Sequence, residues 1–182
     1  METKDYRQRL LELIKREAVF KGKFTLSSGK ESSYYIDLRL VTLSPEGSYL
    51  IAEVLFDILK NEDIDAIGGL TMGADPICAA FSALSFIKGK PIPAFIVRKE
   101  EKRHGKTKAI EGPLEKGSRV VVIDDVATTG ESLIKAIDAA KREGCTIAKV
   151  MSILDRGEGA AETLSAHGYK LVSIYGKKDL GI

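Results

Sequence analysis

Two adjacent carboxylates, Asp124 and Asp125, end an apolar run in RVVVIDDVATTGES (119–132), and the hydroxyls of Thr128, Thr129 and Ser132 follow with Gly130 among them. Acids so placed can grip the hydroxyls of a sugar or a bridging Mg²⁺. Hydroxyls and unpaired backbone N–H groups at a helix start bind phosphate, because the helix dipole is positive there and glycine lets backbone approach closely. Carboxylates repel phosphate, so the two halves make sense together for a ligand that carries both groups, such as a ribose 5-phosphate. The plainer alternative is that Asp125 merely caps a helix, which explains neither the second acid nor the Thr-Thr-Gly.

Two rival phosphate sites fail on spacing. A strand ending in two acids also suits a nucleotide triphosphatase, which needs GxxxxGK[ST]; the only Gly-Lys-Thr is Gly105-Lys106-Thr107, and Glu100 stands where the first glycine belongs. A dinucleotide fold needs GxGxxG after its strand, and DDVATTGES has one glycine.

Such a site requires a strand to deliver the acids and a helix to follow it. From residue 65 onward the chain repeats a short apolar run, a glycine-containing turn and an amphipathic helix: DAIGGL, PICAAFSALSFIK, PIPAFIV, RVVVIDDV, ESLIKAIDAAKREG, TIAKVMSILD, GAAETLSAHG and YKLVSIY. Continuous Val/Ile runs alternating with helices predict a doubly wound α/β fold, a mostly parallel sheet with helices on both faces. In open sheets of this kind ligands bind at the carboxyl ends of the strands, where the strand order reverses. Residues 45–182 form this core, opened by Ser44 as cap and Pro45 in the first helical turn. Residues 1–44 precede it as an amphipathic helix, expected to run to about Lys21-Gly22, and two extended segments joined by a polar turn; the whole is one domain. The segment 98–117, RKEEKRHGKTKAIEGPLEKG, is too polar to join a core and longer than an ordinary connection, so it reads as a functional or a solvated loop.

Composition removes other classes. The chain has 182 residues, 44% hydrophobic and 30% charged, with 28 basic against 26 acidic side chains, so a net charge of +2 gives no case for a nucleic-acid surface. Cys78 and Cys145 lie in apolar segments without metal-binding spacing and read as buried thiols in a reducing cytoplasm. No apolar run reaches the roughly 20 residues of a membrane span, and the first residues lack the apolar centre of a signal peptide. A soluble, cytoplasmic protein is expected.

The stretch VVVIDDVATTGES resembles the phosphoribosyl diphosphate (PRPP) signature of the type I phosphoribosyltransferases. FTLSSGKESSYYIDLR, GLTMGADPI and RKEEKRHG, in that order along the chain, extend the likeness to the orotate phosphoribosyltransferases. The resemblance implies the type I fold with a small N-terminal hood, and Mg²⁺-dependent transfer of ribose 5-phosphate from PRPP to orotate, giving orotidine 5'-phosphate and diphosphate in pyrimidine (UMP) synthesis. It implies that Asp124 and Asp125 bind the ribose hydroxyls, that Val126, Ala127, Thr128, Thr129, Gly130, Glu131 and Ser132 hold the 5-phosphate, and that Thr71, Met72 and Gly73 form the pyrophosphate loop. Arg98, Lys99, Lys102 and His104 match a mobile lid that in this family closes over pyrophosphate from the partner subunit of a homodimer. Lys102, His104 and Asp125 would be catalytic. Thr128, Arg156 and the hood residues Phe24, Tyr35 and Ile36 would meet orotate, and Mg²⁺ would be held mainly by PRPP and water rather than by a direct protein ligand. Ser27 departs from the pattern, since many members have lysine there. A purine phosphoribosyltransferase would share the acid pair but lack the hood and the RKEEKRHG loop, and a PRPP-sensing regulator would need a nucleic-acid-binding element that residues 1–20 do not offer.

Overall fold

The computed structural model describes residues 3–25, 31–99 and 109–182. It begins with α1 (Thr3–Glu17), followed by an antiparallel hairpin of β1 (Val19–Thr25) and β2 (Glu31–Ile36). The short α2 (Arg39–Thr42) leads into α3 (Pro45–Leu59). Then come β3 (Ala66–Leu70), α4 (Asp75–Ile87), β4 (Ala94–Val97), β5 (Ile110–Glu111), β6 (Arg119–Ala127), α5 (Glu131–Arg142), β7 (Thr146–Asp155), α6 (Ala160–Ala166) and β8 (Leu171–Gly176). The last six strands form one sheet in the order β5-β4-β3-β6-β7-β8, parallel throughout except for β5. The doubly wound, mostly parallel sheet flanked by helices is therefore as expected.

The valine-rich run of β6 explains both apolar layers. Successive side chains of a strand point to opposite faces. Val121 and Ile123 accordingly join the cluster that includes Leu10, Ile14, Leu50 and Phe81 from α1, α3 and α4. Val120 and Val122 join the opposite cluster with Leu133 and Ile137 of α5 and Leu164 of α6. A strand buried on both sides cannot alternate apolar and polar residues, which is why its sequence is uniformly apolar.

Three local expectations meet the structure differently. The Ser44 cap is as read: its hydroxyl accepts the Gly47 N–H at 3.0 Å, with Pro45 in the first turn of α3. The first helix ends at Glu17, short of Lys21-Gly22, because Val19 and Phe20 pair with Ile36 and Tyr35 as a hairpin and Ala18 C=O accepts the Asp37 N–H at 3.0 Å. The segment 98–117 does contribute to the sheet. Ile110 is buried and pairs with Val97, and the Arg98 N–H donates to Ala109 C=O at 3.0 Å, so both arms of the loop are zipped to the sheet edge.

The helix of the first 44 residues is not a detachable appendage. Leu10 and Ile14 are fully buried in the same cluster as the β6 core residues. We predict that Leu10→Ala lowers global stability by about 2–4 kcal/mol in urea unfolding followed by circular dichroism, in a single transition. A separate early transition for the helix would contradict the shared core.

Candidate active site

The strand order reverses between β3 and β6: the chain goes from β3 outward to β4 and β5, then returns to β6 on the other side of β3. The carboxyl ends of these two strands border a cavity of ≈ 310 Å³. The turn after β3 brings Thr71, Met72 and Gly73 to it, and β6 brings Asp124, Asp125 and Val126. The Thr71–Met72 peptide bond is cis. Gly73 is required by contact, since a Cβ there would lie 2.5 Å from Asp125 Oδ1 and 2.6 Å from Asp124 Oδ1.

The acid pair is held by its own backbone. The Asp125 N–H donates to Asp124 Oδ1 at 3.0 Å, and the Val126 N–H donates to Asp125 Oδ1 at 2.8 Å. Asp124 is only 8% exposed. Burial, and next the charge of Asp125, push its carboxyl up to about 8, against a smaller opposing pull from Lys99. One proton is thus retained on a pair that two full charges would split apart.

Beyond the acids, Ala127, Thr128, Thr129, Gly130, Glu131 and Ser132 line a small cup at the start of α5. Gly130 occupies the cap position at φ 85°, a left-handed conformation that favours glycine. No side chain caps this helix. Among the described residues no side-chain cap occupies its first N–H groups, which leaves them for an anion. Thr128 and Ser132 also border the main cavity.

Arg156 also lines the cavity, delivered by the turn after β7, where its N–H donates to Ala127 C=O at 3.0 Å. Its side chain is 13% exposed; Nη2 pairs with Glu158 at 2.8 Å, and the buried Nε has no hydrogen-bond partner among the described residues. The guanidinium lies 5.7 Å from the centre of the buried Tyr34 ring, which Lys177 Nζ also approaches, at 4.9 Å. A buried N–H donor without an acceptor costs free energy unless a ligand supplies one.

The expected residues divide on strand alternation. Ile36 borders the cavity, but Phe24 and Tyr35 do not: Tyr35 is exposed on the other face of β2 from Tyr34 and Ile36, in ring contact with Phe20 and Phe24. Lys99 reaches this chain's own cavity, whereas Arg98 turns away to pair with Glu111 at 2.6 Å. Lys102, His104 and Ser27 lie outside the described residues. Asp37, Leu38 and Arg39, the end of the FTLSSGKESSYYIDLR stretch, also line the cavity, though no role was assigned to them from the sequence.

Residues 44–174 match the phosphoribosyl transferase domain family. The chain is 44% identical over 179 residues to an orotate phosphoribosyltransferase of Streptomyces coelicolor, covering 98% of both chains. Its fold matches the crystal structure of Mycobacterium tuberculosis orotate phosphoribosyltransferase in complex with Fe(III) dicitrate, with a TM-score of 0.87 and 41% identity over 97% of this chain and 99% of the other. The complex of that enzyme with PRPP matches with a TM-score of 0.83 and 39% identity, over 97% of this chain and 99% of the other.

The raised carboxyl of Asp124 makes a signed prediction for the ligand-free protein. Below about pH 4 the acid is neutral folded and unfolded and costs nothing. Between there and its folded value of about 8 only the unfolded chain releases the proton, so the cost to the fold grows with pH and then levels off. Asp124→Asn should therefore raise Tm by roughly 2–6 °C near pH 8 and by nothing near pH 4. Thermal melts across that range check it, and a pH-independent difference would contradict the assigned cause.

Proposed function

We propose, from the premise that this chain belongs to the phosphoribosyltransferase family, that it transfers ribose 5-phosphate from PRPP to orotate, yielding orotidine 5'-phosphate and diphosphate. Within this family it groups with the orotate enzymes by identity over nearly its full length. The observation that carries the reading is one site that brings together an acid pair, an uncapped helix start and a buried arginine donor without an acceptor among the described residues. These suit the sugar diol, the 5-phosphate and the carboxylate of the base in turn.

In this reading Asp124 and Asp125 accept hydrogen bonds from the ribose 2- and 3-hydroxyls, and the N–H groups and hydroxyls of the cup, from Val126 through Ala127, Thr128, Thr129, Gly130 and Glu131 to Ser132, bind the phosphate. Arg156 faces the orotate carboxylate, with Thr128 and Ile36 beside the ring. Thr71, Met72, Gly73 and Lys99 receive the diphosphate. The C1–O bond breaks with its electron pair leaving on diphosphate, the sugar passes through an oxocarbenium-like state, and N1 of the pyrimidine forms the new bond to C1 as its proton passes to the departing diphosphate or to solvent. Lys99 opposes the charge that builds on the leaving group, and a cation already in place at the transition state is worth several kcal/mol. Asp125, close to the sugar, steadies the positive charge developing on it. Arg98, Lys102 and His104 act on the diphosphate of a partner chain in a homodimer, with His104 donating a hydrogen bond or proton.

No three metal-ligating side chains converge among the described residues. The two carboxylates suit a Mg²⁺ that keeps much of its water and is held mainly by PRPP oxygens. Held there, it would neutralise charge on the departing diphosphate. The reading places the protein in the cytoplasm; its two cysteines are buried free thiols, and no described helix is long and apolar enough to cross a membrane.

Loss of orotate absorbance on adding PRPP and Mg²⁺ tests the assignment, with uracil, adenine and hypoxanthine as controls. Turnover of orotate and of none of the purines is expected, and activity on a purine alone would overturn it. The shared lid has its own test. Lys102→Ala should lower kcat by on the order of 100-fold, and mixing it with an inactive Asp125→Asn protein should restore partial activity. Absence of recovery despite demonstrated subunit exchange would mean that each site is complete within one chain.

A further inference from the structure

We propose that Arg39 is a substrate-binding residue of this chain's own cavity, a fixed cation for the diphosphate of PRPP that acts beside Lys99. The inference rests on the reading of the cavity as a PRPP site. Arg39 lines that cavity together with Thr71, Met72, Gly73 and Lys99.

Its guanidinium is oriented before any ligand arrives. Nε donates to Asp37 Oδ1 at 2.8 Å and Nη2 to Asp37 Oδ2 at 2.9 Å, a two-point fork. The Arg39 backbone N–H donates to the same Oδ1 at 3.1 Å. Asp37 is itself anchored, since its N–H donates to Ala18 C=O at 3.0 Å where α1 gives way to the hairpin. A guanidinium has five N–H donors in one plane, so the fork with Asp37 fixes that plane and leaves three donors for an anionic oxygen.

Charge explains why the cavity needs it. Its wall carries three acids, Asp37, Asp124 and Asp125, and three cations, Arg39, Lys99 and Arg156. With Asp124 holding its proton, the cations exceed the charged acids by one, and without Arg39 they would only match them around a ligand that is itself a polyanion. Position favours the diphosphate over the base. Arg39 interacts with the charge of Asp125, the acid against which Gly73 is pressed. Arg156 instead stands over Tyr34 in the turn after β7. An ion pair as exposed as Arg39–Asp37 contributes little to folding, with a side chain 48% accessible for Arg39, so its removal leaves the fold intact.

The test is calorimetric titration of PRPP into the full chain without orotate, followed by steady-state kinetics with both substrates. Arg39→Ala should weaken PRPP binding and raise its KM by roughly 10- to 100-fold, while the KM for orotate changes by less than about threefold and the melting temperature is held. Arg39→Lys, which keeps the charge without the planar fork, should fall in between, and Asp37→Asn should cost less than Arg39→Ala because the cation remains but is less well aimed. Unchanged PRPP affinity in Arg39→Ala would overturn the inference, as would a rise confined to the KM for orotate, which would assign the residue to the base. An unaltered chain that binds no PRPP would fail the parent reading, whereas PRPP binding that is equally tight before and after Arg39→Ala fails this inference alone.

Discussion

Everything at the site follows from holding two carboxylates side by side at the buried end of β6. Desolvation and mutual repulsion both oppose a second charge there, and the carboxyl of Asp124 is raised to about 8 as a result. The pair persists because the chain surrounds it with compensations that no other sequence position could supply. Two backbone N–H groups bond the carboxylates from within the strand, and Gly73 gives the turn after β3 room to come against both. Lys99, just beyond the end of β4, adds an opposing charge. The strand is apolar on both faces up to Ile123 because only a fully packed core holds a strand end rigidly enough for this.

From that constraint the cations take their places by backbone geometry. Side chains of an extended segment alternate, so neighbours in sequence serve different surfaces. Just beyond β4, Lys99 reaches the cavity while Arg98 pairs with Glu111, and both border a second pocket beside α5. Tyr34 lies under Arg156 while Tyr35 stacks on the outside of the hairpin. Motif likeness names a stretch of residues without saying which of them faces inward, and alternation makes that choice.

The same distinction sets what could be read from the sequence. The doubly wound sheet was legible because the Val/Ile run of β6 admits no one-sided environment, and the cap at Ser44 was legible because Ser-Pro before an apolar stripe has one good local solution. The acid pair and the cup after it were legible because their chemistry is contained in nine consecutive residues, 124–132. The inward face of the hairpin was not, since YYI offers two alternations and only the tertiary position of β2 selects one. Nor was the edge strand β5, whose two residues sit within a polar loop and owe their pairing to β4 rather than to their own propensity. Arg39 was missed for a related reason: a surface-type ion pair between near neighbours in sequence carries no signal of the cavity beside it.

The site also shows where the ligand-free fold gives up stability. Among the described residues the helix α5 starts without a side-chain cap and the buried Arg156 Nε has no acceptor, and Asp124 retains a proton that it would lose in water. Each is unfavourable alone, and caps or buried hydrogen bonds are worth on the order of 1 kcal/mol apiece. An Asp or Ser at position 130 would cap the helix, but its side-chain oxygen would take up the N–H groups that a phosphate needs, and its Cβ would force a strained left-handed backbone. The three cluster at the main cavity and the cup adjoining it, and each calls for a different group: an anion, a carboxylate or other acceptor, and a hydroxyl donor. A sugar phosphate paired with an anionic base supplies all three at once. Selection for binding, rather than for the empty fold, is the physical reason they remain together.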